Sequence, residues 1–253
     1  MDSCSGLVDL LVYANRILAA HGIVDAMGHI SVRHPLRPDL FFLSRSLAPA
    51  QVKRQDILCF DLDGNDVTGS GLHPYLERFI HAEMYRAKPE VVSVVHSHSP
   101  SVIPFGVTKT DLRPIYHMAG FLGDGAAHFD IGEHGDTDML VRDSYLGKAL
   151  AKTMGDRCCV LMRGHGSTVI GRSIEQAVYR AIYTEQNCKL QWMAQMQGDV
   201  HFLNSREAAL SAAMMDESMV RNFNLWLGEV RDIELGDFTD KLKATFEAEQ
   251  AAR

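Results

Sequence analysis

No basic tract sets itself against the formal net charge of −7, so general affinity for nucleic-acid phosphates or an anionic membrane surface is not expected. No apolar run reaches membrane length and no stretch reads as a secretory leader, which together predict a cytoplasmic protein whose partners are small molecules or proteins. Cysteine is sparse. Cys4, Cys59, Cys158, Cys159 and Cys188 are odd in number and make no CxxC pair, which argues against a disulfide framework and for a reducing compartment. The adjacent pair in "CCVLM" lies in a strand-like run, so burial is expected of it rather than zinc ligation. Pro/Ser linkers, internal repeats and low-complexity tracts are also missing. One domain over residues 1–253, with a helical extension from about residue 206, is the economical reading, and 46% hydrophobic residues suffice for a core.

What is present alternates between the two periodicities. A first helix is expected from about Ser5 to His21, with Ser5 as N-cap, Leu7, Leu10, Leu11, Ala14 and Leu18 on one face, and Gly22 as terminator. "GHISVRH", "LFFLS" and "ILCFDLDGNDV" read as short strands, the last containing a hairpin turn. Pro74 suits a helical first turn, and Leu76, Phe79, Ile80, Met84 and Ala87 make a stripe ending before Pro89. The strand "EVVSVVHSH" follows. The glycine-rich stretch from Tyr116 to Asp138 has little periodicity and is long for an idle loop. A helix near "DSYLGKALAKTM" then leads into "CCVLMRGHG" and "GSTVIGR". Ser173 and Gln176 form a capping-box pattern opening a long helix with Ile174, Ala177, Val178, Ala181 and Ile182 on its apolar face. The final "FEAEQAAR" reads as a frayed end or one packed on another subunit.

Side chains two apart on a strand share a face, so His96 and His98 in "VVHSHSP" can aim two imidazoles at one point. That pair alone fits a surface pair or satisfied core donors equally well. A third candidate is His165 in "LMRGHGSTVIG", again at the end of an apolar strand and flanked by glycines. Three neutral imidazoles suit zinc, manganese, iron or cobalt and leave positions open for substrate. Glu77 sits early on the helix feeding the histidine strand, where it fits either an acid/base at the metal or a solvated residue with His81 at i+4.

Taken together, Glu77, "AKPEVVSVVHSHS" and "RGHGSTVIG" resemble the class II aldolase/adducin family over roughly residues 7–198. The resemblance implies a single three-layer α/β/α domain around a mainly antiparallel sheet. It implies a divalent metal on His96, His98 and His165, with Glu77 as acid/base or fourth ligand, and homotetramers with sites at subunit interfaces. Sugar-phosphate aldolases of this family hold phosphate with small-residue turns, whereas here "GHISVR", "LSRSLAP" and "GLHPYLE" stand in those places. His29, Arg45 between Ser44 and Ser46, and His73 are therefore the candidates to hold a carboxylate instead, Arg45 in bidentate fashion. A surface position is the plain alternative for Arg45.

These departures, with "SRSLAP" and "YHMAGFLG", resemble the decarboxylases of 3-hydroxy-2-methylpyridine-4,5-dicarboxylate and 3,4-dihydroxyphthalate. The resemblance implies a metal-dependent carboxy-lyase acting on a hydroxylated aromatic or heteroaromatic dicarboxylate in a catabolic pathway. Glu77 would be a general acid with its pKa raised by burial, with Tyr116 or His117 near the ring or the departing group. Three alternatives stand beside it: an aldolase for an unphosphorylated hydroxy-keto acid, an iron- and oxygen-dependent enzyme on the same scaffold, and a non-catalytic adducin-like binding module.

Overall fold

The computed structural model describes residues 3–231. Six helices, α1 (Ser3–Ala20), α2 (Arg78–Ala87), α3 (Ile103–Val107), α4 (Ser144–Met154), α5 (Ile174–Gln197) and α6 (Ser205–Val230), alternate with seven strands. These are β1 (His29–Arg33), β2 (Leu40–Ser44), β3 (Ile57–Asp61), β4 (Ser93–Ser97), β5 (Ala127–Phe129), β6 (Cys159–Met162) and β7 (Gly166–Gly171). They form one sheet in the order β3-β2-β1-β4-β7-β6-β5, antiparallel except for the β5–β6 pair.

Strand alternation divides the core into two faces. On one, Phe41, Leu43, Phe60, Val94, Val160 and Ile170 pack against Ile80 and Met84 of α2 and Leu150 and Met154 of α4. On the other, Ile30, Val32 and Val95 pack against α1, α5 and α6 through residues such as Leu11, Val178 and Phe223. The expected three-layer α/β/α architecture around a mainly antiparallel sheet is what forms. The cysteines are free, and burial pushes the thiols of Cys159 and Cys188 up, so both act as packing groups. No helix among the described residues is long and apolar enough to cross a membrane.

Element boundaries differ from expectation in three places. Helix α1 begins at Ser3, two residues before the expected Ser5 cap. Helix α2 begins at Arg78 and not in a turn opened by Pro74, and Leu76, expected on its buried stripe, is 60% exposed. The cause is tertiary: Pro74 bridges to Arg45 and the Ser46 amide donates to the His73 carbonyl, which holds that stretch out of the helix until the turn at Leu76 and Glu77. Strand β4 ends at Ser97, so His98 lies one residue beyond the ladder. At α5 the Ser173 hydroxyl accepts from the Gln176 amide, but the Gln176 side chain returns to the Arg172 amide and not to that of Ser173. The extension expected from about 206 is α6 up to Val230, while "FEAEQAAR" lies outside the described residues.

The end of α2 is fixed by a buried cation. Arg33, 9% exposed, donates from Nη2 to the carbonyls of Tyr85 and Lys88, from Nε to that of Val91 and from Nη1 to that of Pro38. It also stacks 4.7 Å from the Tyr85 ring centroid. A guanidinium at a helix C-terminus satisfies carbonyls that have no intrahelical donor and opposes the helix dipole. Replacing it strands several buried acceptors, so Arg33→Leu is expected to lose about 3 kcal/mol of stability. Urea unfolding measures this, and a loss under about 0.5 kcal/mol, the size of an ordinary surface substitution, contradicts the assignment.

Candidate metal centre

Three backbone devices bring the centre together. Strand β4 carries buried His96 on the face toward α2, and the residue after next returns His98 to the same side. The turn from Met162 to Gly166 delivers His165: its amide donates to the Met162 carbonyl and Gly164 takes a φ of 65°, which favours glycine. Gly166 meets β4 so closely that a Cβ there would stand 2.1 Å from the Ser97 carbonyl oxygen, so the two histidine-bearing segments approach only because a side chain is missing. Glu77 occupies the N-cap position of α2 and points its carboxylate at the cluster.

Nε2 of His98 is 3.0 Å from Nε2 of His96 and 2.9 Å from Nε2 of His165. Oε2 of Glu77 lies 3.6 Å from His96 Nε2 and 3.5 Å from His165 Nε2. All four ligand atoms fall within 4.8 Å of one another, the one such group of His, Cys, Asp or Glu among the described residues. Converging imidazole lone pairs repel one another unless a proton or a metal cation lies between them, and three nitrogens with one carboxylate oxygen are a donor set that fits a metal cation. His96 Nδ1 is 3.1 Å from the Ser167 carbonyl, an acceptor, so its proton sits on Nδ1 and Nε2 offers a lone pair. Burial lowers the pKa of His96 well below its ordinary value and, with His165, lowers that of His98, keeping both neutral as ligands must be.

Glu77 departs from expectation. Burial opposes its ionisation, but a hydrogen bond from His165, the nearby His96 and the Val141 amide outweigh that and hold its pKa at about 2. Its acidity is therefore strengthened and not weakened, so it rests as a carboxylate. Oε1 accepts the Val141 amide at 3.0 Å, leaving Oε2 for the cluster. That amide is aimed by a tight turn in which Met139 adopts a φ of 74°, a left-handed conformation costly for a side-chain-bearing residue.

The other sequence candidates divide. His29, 3% exposed, pairs with His96 across β1 and β4, its ring centroid 5.1 Å from that of His96 and 4.5 Å from that of Tyr75. Arg45 is half-buried and donates from Nε to Asp56 at 2.6 Å, next to buried Ser44 and exposed Ser46, with exposed His73 across the bridge. Tyr116 and His117 are not brought to the cluster within one chain. Tyr116 packs with Tyr183 and Gln186 of α5, on the opposite face of the sheet. Sequence reading missed His81, Ser31, Tyr85, Asp56 and Val141. His81, weighed only as a surface partner of Glu77, is fully buried and turned toward β1. Alternation of His29, Ser31 and Arg33 along β1 is the signal that could have found part of this group, because all three share the His96 face.

The model of the class II aldolase and adducin N-terminal domain matches residues 9–192. The chain is 40% identical over 245 residues to a Talaromyces stipitatus protein named decarboxylase tropJ, covering 87% of this chain and 91% of that one. It is 32% identical over 188 residues to the 3,4-dihydroxyphthalate decarboxylase of Arthrobacter keyseri, covering 70% and 74%. A crystal structure of an aldolase II superfamily protein from Pseudomonas syringae superposes with a TM-score of 0.75 at 22% identity, covering 89% and 92%. With the matched model spanning the sheet and all four residues of the cluster, the chain belongs to the class II aldolase and adducin family.

Proposed function

We propose that the protein is a metal-dependent decarboxylase of a hydroxylated aromatic or heteroaromatic dicarboxylate. The observation that carries this reading is the convergence of His96, His98, His165 and Glu77 on one point. Its support is the similarity to proteins named as decarboxylases, one of them for 3,4-dihydroxyphthalate.

His96, His98 and His165 would hold a divalent zinc, manganese, iron or cobalt ion. When bound, that ion supplies Lewis-acid stabilisation of the electron pair left on carbon as CO₂ departs. The chain's own groups do the rest. Glu77, ionised at rest and clamped through Oε1, would take up a proton from solvent and deliver it to the carbon that has lost CO₂, so one carboxylate is replaced by one hydrogen. Arg45 holds the retained carboxylate: Asp56 occupies its Nε edge, which leaves the two terminal nitrogens free for a bidentate pair. Ser44 and Ser46 flank Arg45, His73 lies across the bridge from them, and His29 lies beside Tyr75 and His96. Tyr116 and His117, on the far face, would serve a neighbouring subunit's site in a cytoplasmic homotetramer.

An aldolase acting on an unphosphorylated hydroxy-keto acid would use the same groups but release an aldehyde. A non-catalytic adducin-like module has no use for an intact three-histidine set with an aligned carboxylate, which weighs against it.

Chelator-stripped protein is expected to release no CO₂ from 3,4-dihydroxyphthalate and related hydroxy-aromatic dicarboxylates, and to regain release when a divalent metal is restored. Manometric or coupled CO₂ assays read this; aldehyde release instead moves the assignment to the aldolase, and full activity without metal overturns both. Glu77→Gln should keep its metal, measured by elemental analysis, and lose at least about a hundredfold in kcat, the range of a lost proton-transfer group. Arg45→Ala should raise KM about tenfold or more with a smaller change in kcat, as expected for lost ground-state binding. Unaltered kinetics remove it from the site.

A further inference from the structure

Behind the metal ligands, four buried polar side chains are strung in one line. His29 Nδ1 is 2.6 Å from His81 Nε2, His81 Nδ1 is 2.6 Å from the Ser31 hydroxyl, and that hydroxyl is 2.6 Å from the Tyr85 hydroxyl. Ser31, His81 and Tyr85 are at most 1% exposed. Beyond Tyr85 the line ends at the Val92 carbonyl, 3.4 Å away, and Arg33 is stacked on the Tyr85 ring. The line touches no solvent at that end, so it is not a conduit for protons. At its other end, His29 Nε2 has no protein partner among the described residues and is not one of the sealed, unpartnered atoms, which include His165 Nδ1. Nε2 therefore retains contact with solvent, on a ring whose centroid is 5.1 Å from that of His96.

Such a line has a direction. Burial brings the pKa of His81 to about 3, so His81 is neutral and carries one proton, as do Ser31 and Tyr85. Each link holds one hydrogen, and the three must all point toward Tyr85 or all toward His29. The Val92 carbonyl, which also accepts the Arg33 amide at 2.7 Å, can take a second hydrogen and give none, so the first arrangement alone adds a fourth bond to the line: His29 Nδ1–H to His81, His81 Nδ1–H to Ser31, Ser31 O–H to Tyr85, Tyr85 O–H to Val92. His29 is then left with a bare lone pair on Nε2. A lone pair receives a hydrogen and repels a carboxylate.

We infer that Tyr85, Ser31 and His81 are positioning residues that fix the tautomer of His29, and that His29 receives a substrate hydroxyl next to the metal ligands. Recognition of a hydroxyl rests on the decarboxylase reading above; the tautomer does not. His29 thus leaves the set of groups that hold the retained carboxylate, and that task falls to Arg45. The site asks its substrate for a hydroxyl and a carboxylate at separate places.

Magic-angle-spinning NMR of the zinc-loaded protein labelled with ¹⁵N-histidine tests this. The His29 signals are identified by their loss in His29→Gln, and a protonated Nδ1 with a bare Nε2 is expected. Ser31→Ala and Tyr85→Phe each remove one link and should split His29 into two tautomers; should either fail to fold, the wild-type spectrum still decides. An Nε2–H tautomer in the wild type, or a His29 signal unchanged in folded variants, overturns the positioning role. Catechol at saturating concentration should shift the Nε2 signal and phthalate should leave it in place. A shift with phthalate alone, or with neither, overturns the hydroxyl assignment. Failure of the decarboxylase reading would appear separately, as absence of CO₂ release from a protein whose His29 tautomer is as expected.

Discussion

Three imidazole nitrogens whose lone pairs converge, all within 4.8 Å of one another, are an unfavourable arrangement by themselves, and much of the local structure exists to impose it. Gly166 has no side chain so that β7 can close on β4 and bring His165 to His96. Met139 accepts a left-handed backbone so that the Val141 amide can hold Glu77. The bridge between Arg45 and Pro74 delays α2 until Glu77, which places the carboxylate at the helix start and not along its side. Strain kept at a cluster of ligand atoms, and held there by packed surroundings, is what a bound cation would relieve.

The two faces of the sheet divide the work. The face toward α2 and α4 carries the metal-binding histidines, Glu77, the His29 line and the Arg33 anchor: His29, Ser31, Arg33 and His96 come from alternate positions of β1 and β4, Glu77, His81 and Tyr85 from the start and length of α2, and His165 from the turn before β7. The face toward α1, α5 and α6 carries aliphatic packing and the Tyr116 segment. A polar site buried under helices is tolerable because nearly every member has a partner: His96 with Ser167, Glu77 with Val141, His29 with His81. His165 Nδ1 and the Ser44 hydroxyl, both buried and unpartnered, are the exceptions.

Much of this was legible in the sequence. The β-alternation of His96 and His98, the glycines around His165 and the amphipathic stripes of α1 and α5 all predicted the elements that form, because local periodicity and burial agree there. Where tertiary pairing overrides local preference, local pattern misleads. Pro74 looks like a helix opener but is captured by Arg45, and Leu76 consequently faces solvent. His81 at i+4 from Glu77 looks like a surface partner, yet the helix turns it into the sheet. The acidity of Glu77 depends on groups far apart in the chain, His165 and Val141, and no spacing rule reveals which of burial and partnership prevails.

The central claim is that these four residues form a metal site and not a buried polar cluster of another kind. X-ray absorption at the metal edge of the purified, metal-loaded protein tests it most directly. One ion per chain with three imidazole nitrogens and additional oxygen in its nearest shell is expected, with loss of that shell in His96→Ala. A shell containing sulfur, or an ion whose surroundings do not change in His96→Ala, would contradict it.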